Sequence, residues 1–422
     1  MLKIKPKNFK LKNGIEVVTF PMLSTETVTV LVLVKIGSRY EEERLQGVSH
    51  FLEHLFFKGT KKRPTTLEIS HELDNMGAEF NAFTSKEYTG FYITAASKYM
   101  NTILDILSDI LLNSLFKEEE IQKERGAVIE EMNMYQDTPM RYIGDIFEEL
   151  LYGDTALGRK VIGTKEILKN MKRDDFINYF KKNYNSRNII ISVAGKFKDI
   201  NLEKFLGDVK KGKKSEYKKY EDKQIKPELR IVDKNTDQAQ VAIGYKTFSI
   251  FDKRRTTLDV LATILGGGMS SRLFIEVRER QGLCYFVRTL AEHYLDQGYI
   301  GTFSGVTLNK IDKAIKIILQ EHKKIITDGI SVKELNKAKE YIKGRFLLSA
   351  EGSYDIAHFI GMEKLILNRA ISINDYFKEV DNVTVTAIKI TANELFIKEK
   401  LNLAIIGPFN GEENRFKKLL EL

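Results

Sequence analysis

Apolar and polar residues alternate along this chain in two registers, and each register predicts its element. Phe9-Lys10-Leu11-Lys12 and Ile15-Glu16-Val17-Val18 alternate around Asn13-Gly14, which predicts a hairpin closed by a type I′ turn. Val28 to Ile36 is nearly continuous in apolar residues and reads as a buried central strand. A helix follows over the stretch from Gly47 and ends near Gly59. Pro64, Thr65 and Thr66 open a second helix that stops at Gly77, and Glu79 to Ala95 reads as strands. Ile103, Leu104, Ile106, Leu107, Ile110 and Leu111 recur at helical spacing, predicting an amphipathic core helix before one that carries Glu124 and Glu131. Arg187 to Phe197 returns to a buried strand.

The pattern then starts again. Gly207 to Pro227 is rich in lysine and nearly free of aliphatic residues, as a linker is. Val193-Ala194-Gly195-Lys196-Phe197 is echoed by Ile405-Ile406-Gly407-Pro408-Phe409, 212 residues on (195 against 407). Glu120-Ile121-Gln122-Lys123 is echoed by Glu334-Leu335-Asn336-Lys337 at 214 (120 against 334), and Gly77 by Gly282 at 205 (77 against 282). Similar offsets predict one duplicated α/β unit, hence an α+β fold with two mainly antiparallel sheets, each with helices on one face. The expected division is 1–206, a linker at 207–227, and 228–422.

Composition narrows the class. With 422 residues, 43% apolar and 30% charged, the chain has the make-up of a globular protein with room for a large core. The apolar run at 28–34 is too short to span a bilayer, and Met1-Leu2-Lys3-Ile4-Lys5-Pro6 lacks the apolar segment of a secretory signal. The net charge of +9 is spread among lysines mixed with glutamates, so neither a nucleic-acid nor a membrane partner is expected. Cys284 is the one cysteine, which excludes an internal disulfide framework and fits a reducing, cytoplasmic setting. The abundance of Lys, Ile and Glu fits a thermophile or an AT-rich genome equally.

The chemistry gathers in His50-Phe51-Leu52-Glu53-His54. On a helix, His50 and His54 stand one turn apart on a single face, so two imidazoles reach one metal ion, with Glu53 beside them. Glu131 is offered as the third ligand, leaving a fourth position to water, and Glu124, two turns before it, shares its face. Glu124 is read either as orienting the site or as ordinary helix surface. The second half has no His-x-x-Glu-His, its histidines 293, 322 and 358 are far apart in sequence, and Arg345 and Ala338 stand where the repeat places Glu131 and Glu124. Only the first half can hold the metal. Asn81-Ala82-Phe83-Thr84-Ser85 is an edge strand or an interior one with Phe83 in the core. Gly266-Gly267-Gly268 lacks the Lys-Ser/Thr of a phosphate loop and reads as a flexible turn.

These residues together resemble the pitrilysin-type (inverzincin, M16) zinc metallopeptidases: His50-x-x-Glu53-His54, the following Phe-Lys-Gly-Thr, Asn81-Ala82-Phe83-Thr84-Ser85 and the Glu124/Glu131 pair. The likeness runs through nearly the whole chain, to the branch containing mitochondrial processing peptidase subunits and short bacterial homologues. It implies one Zn²⁺ per chain on His50, His54 and Glu131, a zinc-bound water activated by Glu53, and support from Glu124. It implies that the strand with Asn81, Ala82 and Phe83 pairs with the substrate backbone, and that Arg278 and Tyr285 contact substrate. It further implies an endopeptidase acting on unfolded peptides in a dimeric clamshell chamber, here a homodimer whose Arg278 and Tyr285 serve the partner's site. A non-catalytic or partner-dependent subunit of the same superfamily is the alternative.

Overall fold

The apolar run at 28–36 supplies a strand in the interior of its sheet. In the computed structural model, which describes residues 4–198 and 200–420, Thr27–Val34 is buried at every position but the first. Each of its valines and leucines, shut away from water, contributes about 1.5–3 kcal/mol of hydrophobic stabilisation. The start of the N-terminal stretch weighed as a signal, residues 1–3, lies outside the described residues.

The first sheet comprises β1 (Lys7–Lys10), β2 (Glu16–Pro21), β3 (Thr27–Val34), β4 (Glu79–Thr84), β5 (Thr89–Ala96) and β6 (Ile189–Gly195), in the order β1-β2-β6-β3-β5-β4. The second comprises β7 (Glu228–Asp233), β8 (Gln238–Thr247), β9 (Cys284–His293), β10 (Gly298–Thr307) and β11 (Leu401–Gly407), in the order β7-β11-β8-β10-β9. With β1 set aside the two orders correspond strand for strand. In each, one pair is parallel, β2 with β6 and β7 with β11, and the rest are antiparallel. The duplication read from short echoes is therefore a duplication of topology, and the fold is α+β in two units.

The helices of the first half include α1 (Val48–Phe56), α2 (Thr66–Asn75), α3 (Met100–Asn113), α4 (Glu118–Gln136) and α5 (Pro139–Tyr152). α2 starts as expected at Thr65, whose hydroxyl accepts the Glu68 N–H while the Glu68 carboxylate accepts the Thr65 N–H. The compact units are not contiguous stretches. One consists of Met1–Met132, Arg159–Lys218 and Leu347–Tyr376; the other of Asn133–Gly158, Lys219–Phe346 and Phe377–Leu422. Compared with a division at 1–206 and 228–422, each half gives one helix to the other's unit. In the first unit, helix Ser353–Leu367 lies across β2, β3 and β6, with Ser353 Oγ 2.8 Å from Thr29 Oγ1 and Ser192 Oγ donating to the Ala357 carbonyl at 2.6 Å. In the second, α5 covers β7, β8 and β11 by burying Ile143, Ile146, Phe147, Leu151 and Tyr152 against Ala242, Ala404 and Ile406. The exchanged helices are themselves repeat partners, starting at 139 and 353.

Three local features carry detail that the sequence did not show. The first hairpin forms, but Lys10 faces Glu16 across a five-residue connection, and only Gly14 has a positive φ, +98°. A type I′ turn needs two such residues. The Asn13 amide instead donates to the carbonyls of Leu206, Gly207 and Val209. The glycines at 266–268 do turn the chain where helix Arg255–Gly266 ends, but in a close approach: a Cβ on Gly266 would sit 2.4 Å from the Thr289 nitrogen on β9. The linker, though irregular, is pinned. Asn185 and Asn188 donate to the Lys213 carbonyl and to Ser215, and Tyr217 lies against the buried Arg39, whose guanidinium carbon is 4.2 Å from the ring centre.

Candidate metal centre

α1 presents two faces because its sequence does. Phe51, Leu52, Leu55 and Phe56 are buried, Phe51 edge-on to Phe176 at 4.7 Å and Phe56 edge-on to Phe91 at 4.6 Å. That anchoring turns His50, Glu53 and His54 the other way, each half-buried. Gly47 begins the helix at a φ of +90°, and a Cβ there would meet the Ile162 carbonyl oxygen at 2.6 Å, so the position admits only glycine. Having no side chain, Gly47 cannot cap the helix. Glu41 does so from outside, accepting the Gly47 N–H at 2.7 Å and the Ser49 N–H at 2.8 Å.

α4 brings in the carboxylates. It packs through Ile121, Val128 and Met132, and Arg125 ties it down by donating to the carbonyls of Leu168 and Met171. Glu131 Oε2 then lies 3.6 Å from His50 Nε2 and 3.3 Å from His54 Nε2, with the two imidazole centres 4.9 Å apart. One turn pair earlier, Glu124 Oε2 is 3.3 Å from His54 Nδ1, and its other oxygen is 2.8 Å from Lys58 Nζ. Glu124 thus faces the site rather than solvent, and Lys58, one residue before Gly59, steadies it.

Among the described residues, His50, His54 and Glu131 are the one group of three whose potential ligand atoms lie within 4.8 Å of one another. The arrangement fits zinc. Tetrahedral bonds of about 2.0–2.1 Å place neighbouring ligand atoms about 3.3 Å apart, close to the separations of Glu131 Oε2 from the two Nε2 atoms. That oxygen is buried, with the two imidazole nitrogens as its polar neighbours. Two imidazoles and a carboxylate are also the donor set of a catalytic zinc site that keeps a position open.

Electrostatics set each group apart. Burial, only partly offset by Glu131, pulls His50 down to about 4, so it is neutral at pH 7 and its lone pair is free to ligate. Burial acts on His54 in the same direction, but bonds to Glu124 and Glu131 outweigh it and hold the imidazole up at about 9. Glu131 is lowered, chiefly by its bond to His54, and Glu124 is lowered because His54 and Lys58 overcome its burial. Glu53 runs the other way: burial raises it, against the Thr84 hydrogen bond and the charge of His54.

Thr84 is the residue that sequence reasoning passed over. Its hydroxyl donates to Glu53 Oε2 at 2.6 Å, from the last position of β4. The signal was inside the quoted Asn-Ala-Phe-Thr-Ser, but only the placement of β4 beside α1 turns that threonine toward Glu53. β4 is an edge strand, paired with β5 in the register Asn81↔Tyr92, Ala82↔Phe91 and Phe83↔Gly90. Phe83 is half-buried, its ring edge-on to Tyr88 and to His358.

Arg278 and Tyr285 belong to the second unit. Arg278 lies in a π-helical turn, Phe274–Glu279, and Tyr285 is 72% exposed on β9, an edge strand of its sheet. The guanidinium carbon lies 5.4 Å from the Tyr285 ring centre and 4.7 Å from that of Phe274, so the pair forms one surface feature. The second unit's own histidines have local partners, His293 with Asp259 at 2.8 Å and His322 with Tyr245 at 3.3 Å.

A helix carrying His50, Glu53 and His54 against a second helix carrying Glu124 and Glu131, on a duplicated α+β frame, defines a class that the comparisons bear out. The profile of the insulinase family, peptidase family M16, matches residues 17–165, and that of the peptidase M16 inactive domain matches residues 170–342. The chain belongs to peptidase family M16. It is 34% identical over 406 residues to the uncharacterized zinc protease YmxG of Bacillus subtilis, covering 95% of this chain and 98% of that one. It is 31% identical to the uncharacterized zinc protease SCO5738 of Streptomyces coelicolor, over 96% of this chain and 90% of that one. The crystal structure of a protease from Helicobacter pylori superposes with a TM-score of 0.89 at 25% identity, over 96% of this chain and 99% of that one. No helix among the described residues is long and apolar enough to cross a membrane.

Proposed function

We propose that this chain is a zinc-dependent endopeptidase acting on unfolded peptides, with zinc on His50, His54 and Glu131. One observation carries the reading: three ligand atoms of a catalytic zinc donor set converge beside a half-buried carboxyl, Glu53, held by the Thr84 hydroxyl. Held there, zinc supplies Lewis acidity, polarising a carbonyl and lowering the pKa of water toward neutrality. Glu53 is the proton carrier. Thr84 occupies its Oε2, leaving Oε1 to accept a proton from the attacking water and return it to the leaving amine. Burial raises this carboxyl, which makes it a stronger base than a surface glutamate. Glu124 orients His54 so that Nε2 faces the metal position.

The open edge of β4 gives the substrate a strand to pair with. Main-chain bonds beside Asn81, Ala82 and Phe83 grip an extended peptide without regard to most side chains, which suits unfolded substrates. Arg278 and Tyr285 supply hydrogen-bond donors for a peptide carbonyl or developing oxyanion. We assign them to the zinc site of a second copy in a homodimeric clamshell, so dissociation should abolish activity.

The test is hydrolysis of a long unstructured fluorogenic peptide by the purified protein, before and after chelation and after zinc is restored. Activity should disappear with the metal and return with it. Persistent cleavage in metal-free protein, or none with zinc bound and the protein dimeric, would remove the reading and favour a non-catalytic subunit.

A further inference from the structure

A cavity of about 310 Å³ opens in the first unit where five separate segments converge, and each brings a cation. They are Lys10 on β1, Lys35 just after β3, Arg187 before β6, Lys214 in the linker, and Lys364 on helix Ser353–Leu367. A single carboxylate, Glu16 on β2, stands among them. Its two oxygens are taken, one by Lys10 at 2.8 Å and the other by Lys364 at 2.7 Å. Lys35, Arg187 and Lys214 are left over.

Among the described residues, none of those three makes an ion pair or a side-chain hydrogen bond. Lys35 is half-buried, and its ammonium is depressed by burial first; Glu87 opposes that effect and Lys214 adds to it. Glu87 itself is committed to the buried Arg39 at 2.6 Å. Lys35, partly desolvated and with the like charge of the exposed Lys214 near it, raises the energy of the empty fold, whereas a methionine or glutamine at 35 would not. The wall beside them is aromatic, with Tyr40 and Tyr217 edge-to-face at 5.7 Å. A monocarboxylate would answer one of the three charges. A phosphate dianion answers more, through the fork of an arginine and the point charges of lysines.

We propose that this cavity binds a small molecule bearing a phosphate of charge −2 or higher, its oxygens among Lys35, Arg187 and Lys214 and any ring against Tyr40 and Tyr217. The volume is at the lower end of small-ligand pockets, enough for a compact nucleotide or for a phosphate group alone.

Calorimetric titration of the full chain at low salt with pyrophosphate, ADP and acetate tests this. Pyrophosphate and ADP should bind with submillimolar affinity and acetate should not. Tighter binding of ADP identifies a nucleotide site, and equal binding a site for the phosphate group alone. The double variant Lys35→Met/Lys214→Ala should weaken binding at least about tenfold, and with no ligand it should melt no lower than the wild type. If it melts lower, the exposed Arg187→Ala carries the same binding test. His54→Ala, run in parallel, should bind as the wild type does. Absence of binding at millimolar ligand, binding indifferent to the lysine and arginine substitutions, or binding lost in His54→Ala would each overturn the proposal.

Discussion

Replacing Glu124 with glutamine isolates the part of the metal centre that does not touch the metal. Glu124 Oε2 lies 3.3 Å from His54 Nδ1 and Oε1 lies 2.8 Å from Lys58 Nζ, and its side chain is only 12% exposed. Glutamine keeps the shape and one acceptor but discards the charge. Hydrogen bonds involving a charged group contribute about 1.5–3 kcal/mol, against about 0.5–1.5 kcal/mol for neutral ones. The substitution should therefore cost about 1–2 kcal/mol of His54 orientation, which is about 5- to 30-fold in zinc affinity, in line with outer-shell effects at other zinc sites. Competition against a chromophoric chelator measures it, with thermal melting as a check on the fold. Zinc affinity within about twofold of the wild type, with Glu124→Gln folded, would refute the orienting role and return Glu124 to plain helix surface.

Other parts of the account are exposed to simpler tests. Thr84→Val should lower kcat by about tenfold while zinc content stays at one per chain, because one hydrogen bond to Glu53 is lost and no ligand is. Phe147→Ala should destabilise the protein by about 3–5 kcal/mol in denaturant unfolding, since its ring is fully buried where α5 crosses its sheet, edge-on to Tyr299 and Phe303. His322, buried and stacked on Phe396, is pulled down to about 3 by desolvation. The unfolded chain takes up that proton below pH 6.5 and the folded chain does not, so stability falls with pH across that window. Between pH 7 and pH 5 the loss from this group is about 2 kcal/mol, and His322→Phe should abolish it in unfolding titrations at the two pH values.

Much of the centre was legible because a helix converts spacing into direction. His50 and His54 at four residues, and Glu124 and Glu131 at seven, define faces whatever the rest of the chain does, and the structure places all four side chains together. The duplication was legible only through echoes such as Gly195 and Gly407, because the repeat survives in topology more than in side chains, and the strand orders were not legible. The helix exchange was not legible at all. The apolar stripe of α5 reads the same whether it covers the sheet of its own half or the other, and nothing local to Pro139–Tyr152 names its partner. Asn13-Gly14 misled for a related reason: the asparagine is recruited by carbonyls nearly 200 residues away, at 206, 207 and 209. The Thr84 bond to Glu53 depends on two elements meeting, which periodicity in either one cannot show.

The central claim is that Glu53 moves the proton in a zinc-dependent hydrolysis while His50, His54 and Glu131 hold the metal. Glutamine at 53 keeps the shape and removes the base, whereas alanine at 54 or 131 removes a ligand. The deciding measurement is peptide cleavage and zinc content on the wild type and Glu53→Gln side by side, with His54→Ala and Glu131→Ala as the metal-free references. The account predicts zinc in the first two, cleavage by the wild type alone with a loss of at least about 10²–10⁴-fold in Glu53→Gln, and neither zinc nor cleavage in the references. Near-full activity in zinc-loaded Glu53→Gln would contradict it.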